Sequence, residues 1–97
     1  MEEKIERQVK FIQIPIEIWT NKNLTWSEKL VWSEIDSYTG PNQDCYASNK
    51  YIADFLGLQE GTVANAIVKL KKLGYIVQTK FDGRRRYLRS NLGKFYE

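Results

Sequence analysis

The chain has 97 residues, 42% of them hydrophobic, and it contains three Trp, six Tyr and four Phe. This length and composition predict one globular domain and exclude a disordered chain. The absence of His and the presence of a single Cys, Cys45, exclude imidazole metal sites, Ser-His-Asp triads and an internal disulfide framework.

Little in the sequence supports an enzyme. The 12 carboxylates are scattered, and no glycine-rich phosphate loop is present. We therefore expect no catalysis, no metal and no cofactor. No segment approaches the ~20 apolar residues of a membrane span, and the charged residues 1–10 do not resemble a signal peptide. We therefore expect a cytoplasmic protein with no membrane partner.

Charge is unevenly distributed along the chain. The formal net charge is +3, but residues 1–68 carry a net charge of −4 and residues 69–97 a net charge of +7. Four of the C-terminal charges are the arginines Arg84, Arg85, Arg86 and Arg89. A positive patch of this kind indicates a protein that binds a polyanion.

The N-terminal part of the chain divides into two segments. Residues 1–10 are mixed in charge and poor in apolar side chains, which predicts a flexible extension before a domain spanning residues 11–92. Residues 93–97 are expected to form a short tail. The apolar segment after residue 10 contains Pro15, so it forms either a short edge strand or a short helix over residues 15–19.

A capping box predicts the start of the first long helix. The Thr25 hydroxyl and the Glu28 carboxylate are spaced to satisfy each other's backbone N–H groups. The buried stripe of this helix is predicted to be Trp26, Leu30, Val31, Ile35 and Tyr38. Trp32 lies off this stripe, so we expect it to pack on residues 11–19 or to mark a partner surface. Residues 40–42, Gly-Pro-Asn, end the helix, and residues 43–47 form a linker with room for one extended strand.

Two further helices follow the linker. Ser48 is predicted to cap the second helix, which ends at Gly57, and the third begins near Glu60 and ends at Gly74. The third helix buries the stripe Val63, Ala66, Ile67, Leu70 and Leu73. Ala53, Gly57 and Val63 have the spacing of a helix-turn-helix, which needs a small contact residue, a turn glycine and a buried anchor.

The C-terminal part predicts a β-hairpin. Residues 75–81 are rich in β-branched and aromatic side chains, Asp82-Gly83 is a two-residue turn signal, and residues 84–90 return. In this register Val77 faces Leu88, and the opposite face carries Lys80, Arg85, Tyr87 and Arg89. The predicted fold is therefore α+β and mostly α, with a three-helix core followed by a hairpin.

Two resemblances to known families support this fold. The winged helix-turn-helix of many bacterial and phage proteins resembles the stretch IADFLGLQEGTVANAIVKLKKLGYI. The domain near the N-terminus of phage and plasmid replication-initiation proteins resembles FIQIPIEIW, LTWSEKLVWSEI and CYASNKYIADFLG. Together the resemblances cover residues 11–90. They imply double-stranded DNA binding in the replication of a mobile element, in a bacterial cytoplasm or an infected host cell.

The same resemblances leave other roles and partners open. A transcriptional regulator on this fold is one alternative, and a winged-helix protein-interaction module is another. The chain could also form a homodimer. Replication proteins are further candidate partners, which would bind through an additional C-terminal domain.

By analogy with winged helices, we expect the third helix to enter the major groove and the hairpin to contact phosphates or the minor groove. Asn65 has the geometry to bind adenine, and Glu60 to accept from a cytosine amino group. The predicted DNA contacts of the helix-turn-helix are Ser48, Asn49, Lys50, Gln59, Glu60, Gly61, Thr62, Ala64, Asn65 and Lys69. Those of the hairpin are Lys80, Arg84, Arg85, Arg86 and Arg89.

Overall fold

A computed structural model describes residues 7–8 and 11–92. The described chain forms four helices and a two-stranded antiparallel sheet, which confirms the predicted winged helix-turn-helix fold. The elements are α1 (Ile16–Trp19), α2 (Trp26–Ser37), α3 (Asn49–Leu56), α4 (Glu60–Leu73), β1 (Ile76–Phe81) and β2 (Arg86–Ser90). The helix-turn-helix consists of α3 and α4, and the hairpin β1–β2 is the wing.

The helix ends form where the sequence predicts them. Thr25 Oγ1 accepts a hydrogen bond from the Glu28 backbone N–H at 3.2 Å, and Glu28 Oε1 accepts one from the Thr25 N–H at 2.8 Å. Ser48 caps α3 by accepting from the Tyr51 N–H at 3.0 Å. Gly57 ends α3 with φ 72° and Gly74 ends α4 with φ 86°, a backbone region that favours glycine.

The core lies where α2, α3 and α4 meet, and the wing closes one side of it. Ile35, Ile52 and Val63 are fully buried there. Leu88 of the wing is also fully buried. The segment whose conformation the sequence leaves open forms one helical turn, α1, in which the Pro15 carbonyl accepts from the Trp19 N–H at 2.8 Å.

The burial predicted for Trp26 is wrong, whereas Trp32, which lies off the predicted stripe, is buried. Trp32 is 2% exposed, whereas Trp26 is 58% exposed. The indole N–H of the buried Trp32 is satisfied by two backbone carbonyls, of Tyr75 at 2.9 Å and Asn91 at 3.1 Å. Trp26 instead contacts Trp19 edge to face, with the ring centroids 4.8 Å apart.

The predicted register of the wing is also wrong. Residues 82–85 form a four-residue loop, and an irregularity between Gln78 and Lys80 shifts the pairing. Leu88 therefore pairs with Gln78, and Val77 pairs with Arg89. As a result Val77 is 48% exposed while Leu88 is buried.

A backbone bridge joins the linker before α3 to the wing. Cys45 N–H donates to the Leu88 carbonyl at 2.8 Å, and Leu88 N–H donates to the Cys45 carbonyl at 2.9 Å. The extended conformation predicted for residues 43–47 is thus present at Cys45, which pairs with β2 as a third chain segment.

Two residues of the predicted N-terminal extension contact the domain. Arg7 is hydrogen-bonded to Glu34 and Ser37 of α2, and the Gln8 N–H donates to the Ser37 carbonyl at 2.6 Å. The extension predicted over residues 1–10 is therefore wrong for Arg7 and Gln8. The rest of that segment and the predicted tail over residues 93–97 lie outside the described residues.

Candidate nucleic-acid interface

The outward face of α4 has the helical phase that the sequence predicts. Its inward residues Val63 and Leu70 are fully buried, but Leu73, the last residue of the predicted stripe, is 40% exposed. Two of the outward residues, Thr62 and Ala64, are half-buried. The others are exposed: Gln59, Glu60, Gly61, Asn65 and Val68. This face is therefore available to a binding partner, as a recognition helix requires.

The wing loop lies beside the N-terminal ends of α3 and α4. A groove of about 330 Å³ separates them. It is lined by Tyr46, Ser48, Asn49, Glu60, Arg84, Arg85 and Arg86. The fold thus brings predicted contact residues from three elements to one surface, which we call the wing groove.

Two tyrosines contact each other and the cations of the wing. The Arg85 guanidinium lies 4.6 Å from the centre of the Tyr46 ring, and the Tyr46 and Tyr87 rings are 5.8 Å apart. Lys80 Nζ lies 4.8 Å from the centre of the Tyr87 ring, on the wing. These cation–π contacts position two predicted DNA-binding cations, Lys80 and Arg85, before any ligand arrives.

The predicted DNA contacts include neither tyrosine, although Tyr87 is predicted to lie on the basic face of the hairpin. Tyr46 lies in the linker, two residues before the Ser48 cap, and Tyr87 follows three arginines. An aromatic residue within a basic wing is the one signal that pointed to Tyr87. Nothing local marks Tyr46, because its partners are 39 and 41 residues away in the sequence.

The loop of the wing is organised by Asp82. Its carboxylate accepts from the backbone N–H groups of Arg85 at 2.9 Å and Arg84 at 3.0 Å. These two hydrogen bonds stabilise the ionised form and lower the pKa of Asp82 from 3.8 to about 2. The wing loop therefore has a fixed backbone from which Arg84 and Arg85 project.

Arg86 is directed to α3. Its Nη2 donates to Asn49 Oδ1 at 2.8 Å, which ties β2 to the first residue of α3. Arg86 and Asn49 are therefore partners of each other as well as residues of the wing groove.

Three other predicted cations have partners elsewhere in the protein. Arg89 Nη1 lies 2.5 Å from Asp44 Oδ1, and Arg89 Nη2 donates to the Gly40 carbonyl at 2.9 Å. The hydrogen bond from Thr79 and the one from Arg89 hold the pKa of Asp44 below its usual range. Arg89 is thus part of the contact between the wing and the linker.

Lys69 and Lys50 also interact with other residues of the protein. Lys69 Nζ donates to the Asn23 carbonyl at 2.6 Å and to Glu28 Oε1 at 3.1 Å, which links α4 to the start of α2. Lys50 forms an exposed pair with Asp54, one helical turn away, at 3.0 Å. The structure therefore brings Arg84, Arg85 and Arg86 to the wing groove and leaves Lys69 and Arg89 outside it.

Two other kinds of site find no support in residues 7–8 and 11–92. No group of three or more Cys, Asp and Glu side chains is arranged there to hold a metal ion. Nor does any helix of this part of the chain have the length and apolar surface needed to cross a bilayer.

Comparison with known families agrees with the fold. Residues 22–76, more than half of the chain, match the helix-turn-helix domain family. The match begins before α2 and ends at the first residue of β1, so the wing lies almost entirely beyond it. No curated protein matches the chain significantly. Helix-turn-helix domains characteristically bind DNA, and this match shows that the chain belongs to the helix-turn-helix domain family.

Proposed function

We propose that the chain binds double-stranded DNA, with α4 in the major groove and the wing on the phosphate backbone or in the minor groove. The observation that carries this proposal is the wing groove, where Arg84 and Arg85 converge with the N-terminal ends of α3 and α4. Arginines on a loop with a fixed backbone can neutralise phosphates without the cost of ordering that loop on binding.

The outward residues of α4 and the cap of α3 have separate roles in this arrangement. Asn65 contacts adenine, Gln59 contacts a base or a phosphate, and Glu60 accepts from a cytosine amino group. Contacts to the DNA backbone, which fix the position of the protein on the duplex without reading bases, come from Ser48, Asn49, Lys50 and Thr62. Lys69 and Arg89, which have partners inside the protein, hold the interface in place.

Salt dependence of duplex binding tests the phosphate contacts. The variant R84A/R85A should weaken binding to all duplexes and flatten the slope of log affinity against log salt by about two. K22A removes a charge from an exposed lysine outside both α4 and the wing and should leave the slope nearly unchanged. Equal slopes for wild type and R84A/R85A would show that the wing loop does not contact phosphate.

We also propose a biological setting for this DNA binding, the initiation of replication of a phage, plasmid or related element in the cytoplasm. The support is the resemblance of FIQIPIEIW, LTWSEKLVWSEI and CYASNKYIADFLG to replication-initiation domains. Mapping the bound sites in the source genome tests it. Sites inside a replication origin are expected, and sites confined to promoters would make the protein a transcriptional regulator instead.

A further inference from the structure

We propose that α4 selects A·T base pairs by contacting the C5-methyl groups of thymine in the major groove. This inference rests on the proposed DNA binding and specifies which bases the helix reads. It starts from the middle of the outward face of α4, where Gly61, Ala64 and Val68 are small or apolar. Polar or charged residues lie at either end of this face, Gln59 and Glu60 before it and Lys71 and Lys72 after it.

The outward face forms one stripe along the helix. Gly61, Ala64, Asn65 and Val68 are spaced by three or four residues, so they lie on the same side of α4. Val68 is 61% exposed and is therefore not used by the core. The nearby cation Lys69 is directed to Glu28 and the Asn23 carbonyl.

The chemistry of this stripe matches one kind of base pair. The thymine methyl group is the apolar feature of the major groove, and small apolar side chains contact it there. Asn65, which adjoins Ala64 and lies one turn before Val68, has the donor and acceptor for the N6 and N7 positions of adenine. A face with apolar contacts on either side of an adenine-binding amide therefore favours A·T pairs over G·C pairs.

Gly61 supplies a second, independent observation. A helix that contains glycine is less stable than one with alanine at the same position, by as much as about 1 kcal/mol. Gly61 has no left-handed backbone that would favour glycine, since the glycines with positive φ in the described chain are Gly57, Gly74 and Gly83. A Cβ atom at Gly61 would meet no other atom within 4 Å. Packing against the other described residues does not require glycine here, and a glycine allows a ligand to approach the helix backbone closely.

Selection and base modification test the proposal. Duplexes with a 20-base-pair random region, enriched by binding to the full chain, should become rich in A·T pairs. Replacing thymine by deoxyuridine in a selected duplex removes only the methyl groups and should weaken wild-type binding about fourfold for each contacted methyl.

The V68A variant makes this test specific for one side chain. V68A should bind the thymine duplex more weakly than wild type, and it should lose less than wild type when thymine is replaced by deoxyuridine. V77A, which truncates an exposed valine of β1 outside the stripe, should respond to deoxyuridine as wild type does. G61A should raise the melting temperature and weaken binding, because its added methyl blocks close approach.

The results that overturn the inference are distinct from those that overturn DNA binding. A pool enriched in G·C pairs, or equal deoxyuridine losses for wild type and V68A, would each refute recognition of thymine methyl groups. Full affinity in G61A would refute the close approach of the DNA to the helix backbone at Gly61. Failure to retain any duplex at low salt would refute the proposed function itself.

Discussion

Arg7 donates a 2.6 Å hydrogen bond to Glu34, whose side chain is fully buried 27 residues further along the chain. Arg7 also donates to Ser37 Oγ at 3.1 Å, and its guanidinium lies 4.9 Å from the centre of the Phe55 ring of α3. A charge that precedes the first helix therefore compensates a carboxylate in the interior and connects the N-terminal segment to α2 and α3.

The first prediction concerns this ion pair. R7A should lower the free energy of unfolding by about 3 kcal/mol, because a buried carboxylate left without its cation is strongly unfavourable. Glu34 Oε1 has no hydrogen-bond partner among the described residues, which adds to the penalty. The double variant R7A/E34Q should recover part of the loss, since a neutral amide is easier to bury. Urea unfolding measures both, and a double variant no more stable than R7A would contradict the electrostatic explanation.

The second prediction concerns the orientation of α4. V63D places a carboxylate in the core and should cost about 3 kcal/mol or more, enough to unfold much of a small domain. V68D makes the same change at a 61% exposed position and should leave the melting curve nearly unchanged. Thermal unfolding followed by circular dichroism compares them. Similar melting temperatures for the two variants would mean that the inward and outward faces are assigned incorrectly.

The third prediction separates Arg89 from the arginines of the wing loop. R89A removes the hydrogen bonds to Asp44 and the Gly40 carbonyl, so it should lower stability by about 1 kcal/mol, a modest loss because the pair is partly exposed. It should leave the salt slope of duplex binding close to that of wild type. A slope reduced as much as in R84A/R85A would place Arg89 on a phosphate.

The fourth prediction is a pH dependence localised to the wing loop. The pKa of Asp82 is lowered in the folded state to about 2, from 3.8, so its stabilising hydrogen bonds are complete above pH 3.8 and are lost as the pH falls through about 2. The amide NMR signals of Arg84 and Arg85 should shift with a midpoint near 2. In D82N these shifts should disappear. A wild-type midpoint near 3.8 would show that the two backbone hydrogen bonds do not form in solution.

Local sequence patterns predict most of the helical fold. The Thr25 and Ser48 caps, the Gly57 and Gly74 ends and the buried phase of α4 all depend on residues within four positions of one another, so they can be read from the chain. The outward face of α4 follows from the same phase. These parts of the fold needed no knowledge of distant contacts.

Long-range contacts decide the features that the sequence does not predict. The N–H of the buried Trp32 is accepted by carbonyls 43 and 59 residues away, and a helical stripe cannot show such partners. The wing register depends on the irregularity after Gln78, which the Asp82-Gly83 signal does not reveal. Likewise, Lys69 and Arg89 look like free basic residues until the folded chain brings Glu28 and Asp44 beside them.

The bridge between Cys45 and Leu88 has a consequence for the shape of the bound duplex. A two-stranded hairpin alone is marginally stable and free to swing, but here its second strand is also paired with the segment that leads into α3. The separation between the wing loop and α4 is thereby set during folding. A duplex that contacts both elements must fit this fixed separation. Where a straight duplex does not fit, easily deformed base-pair steps should strengthen binding even if no side chain contacts them.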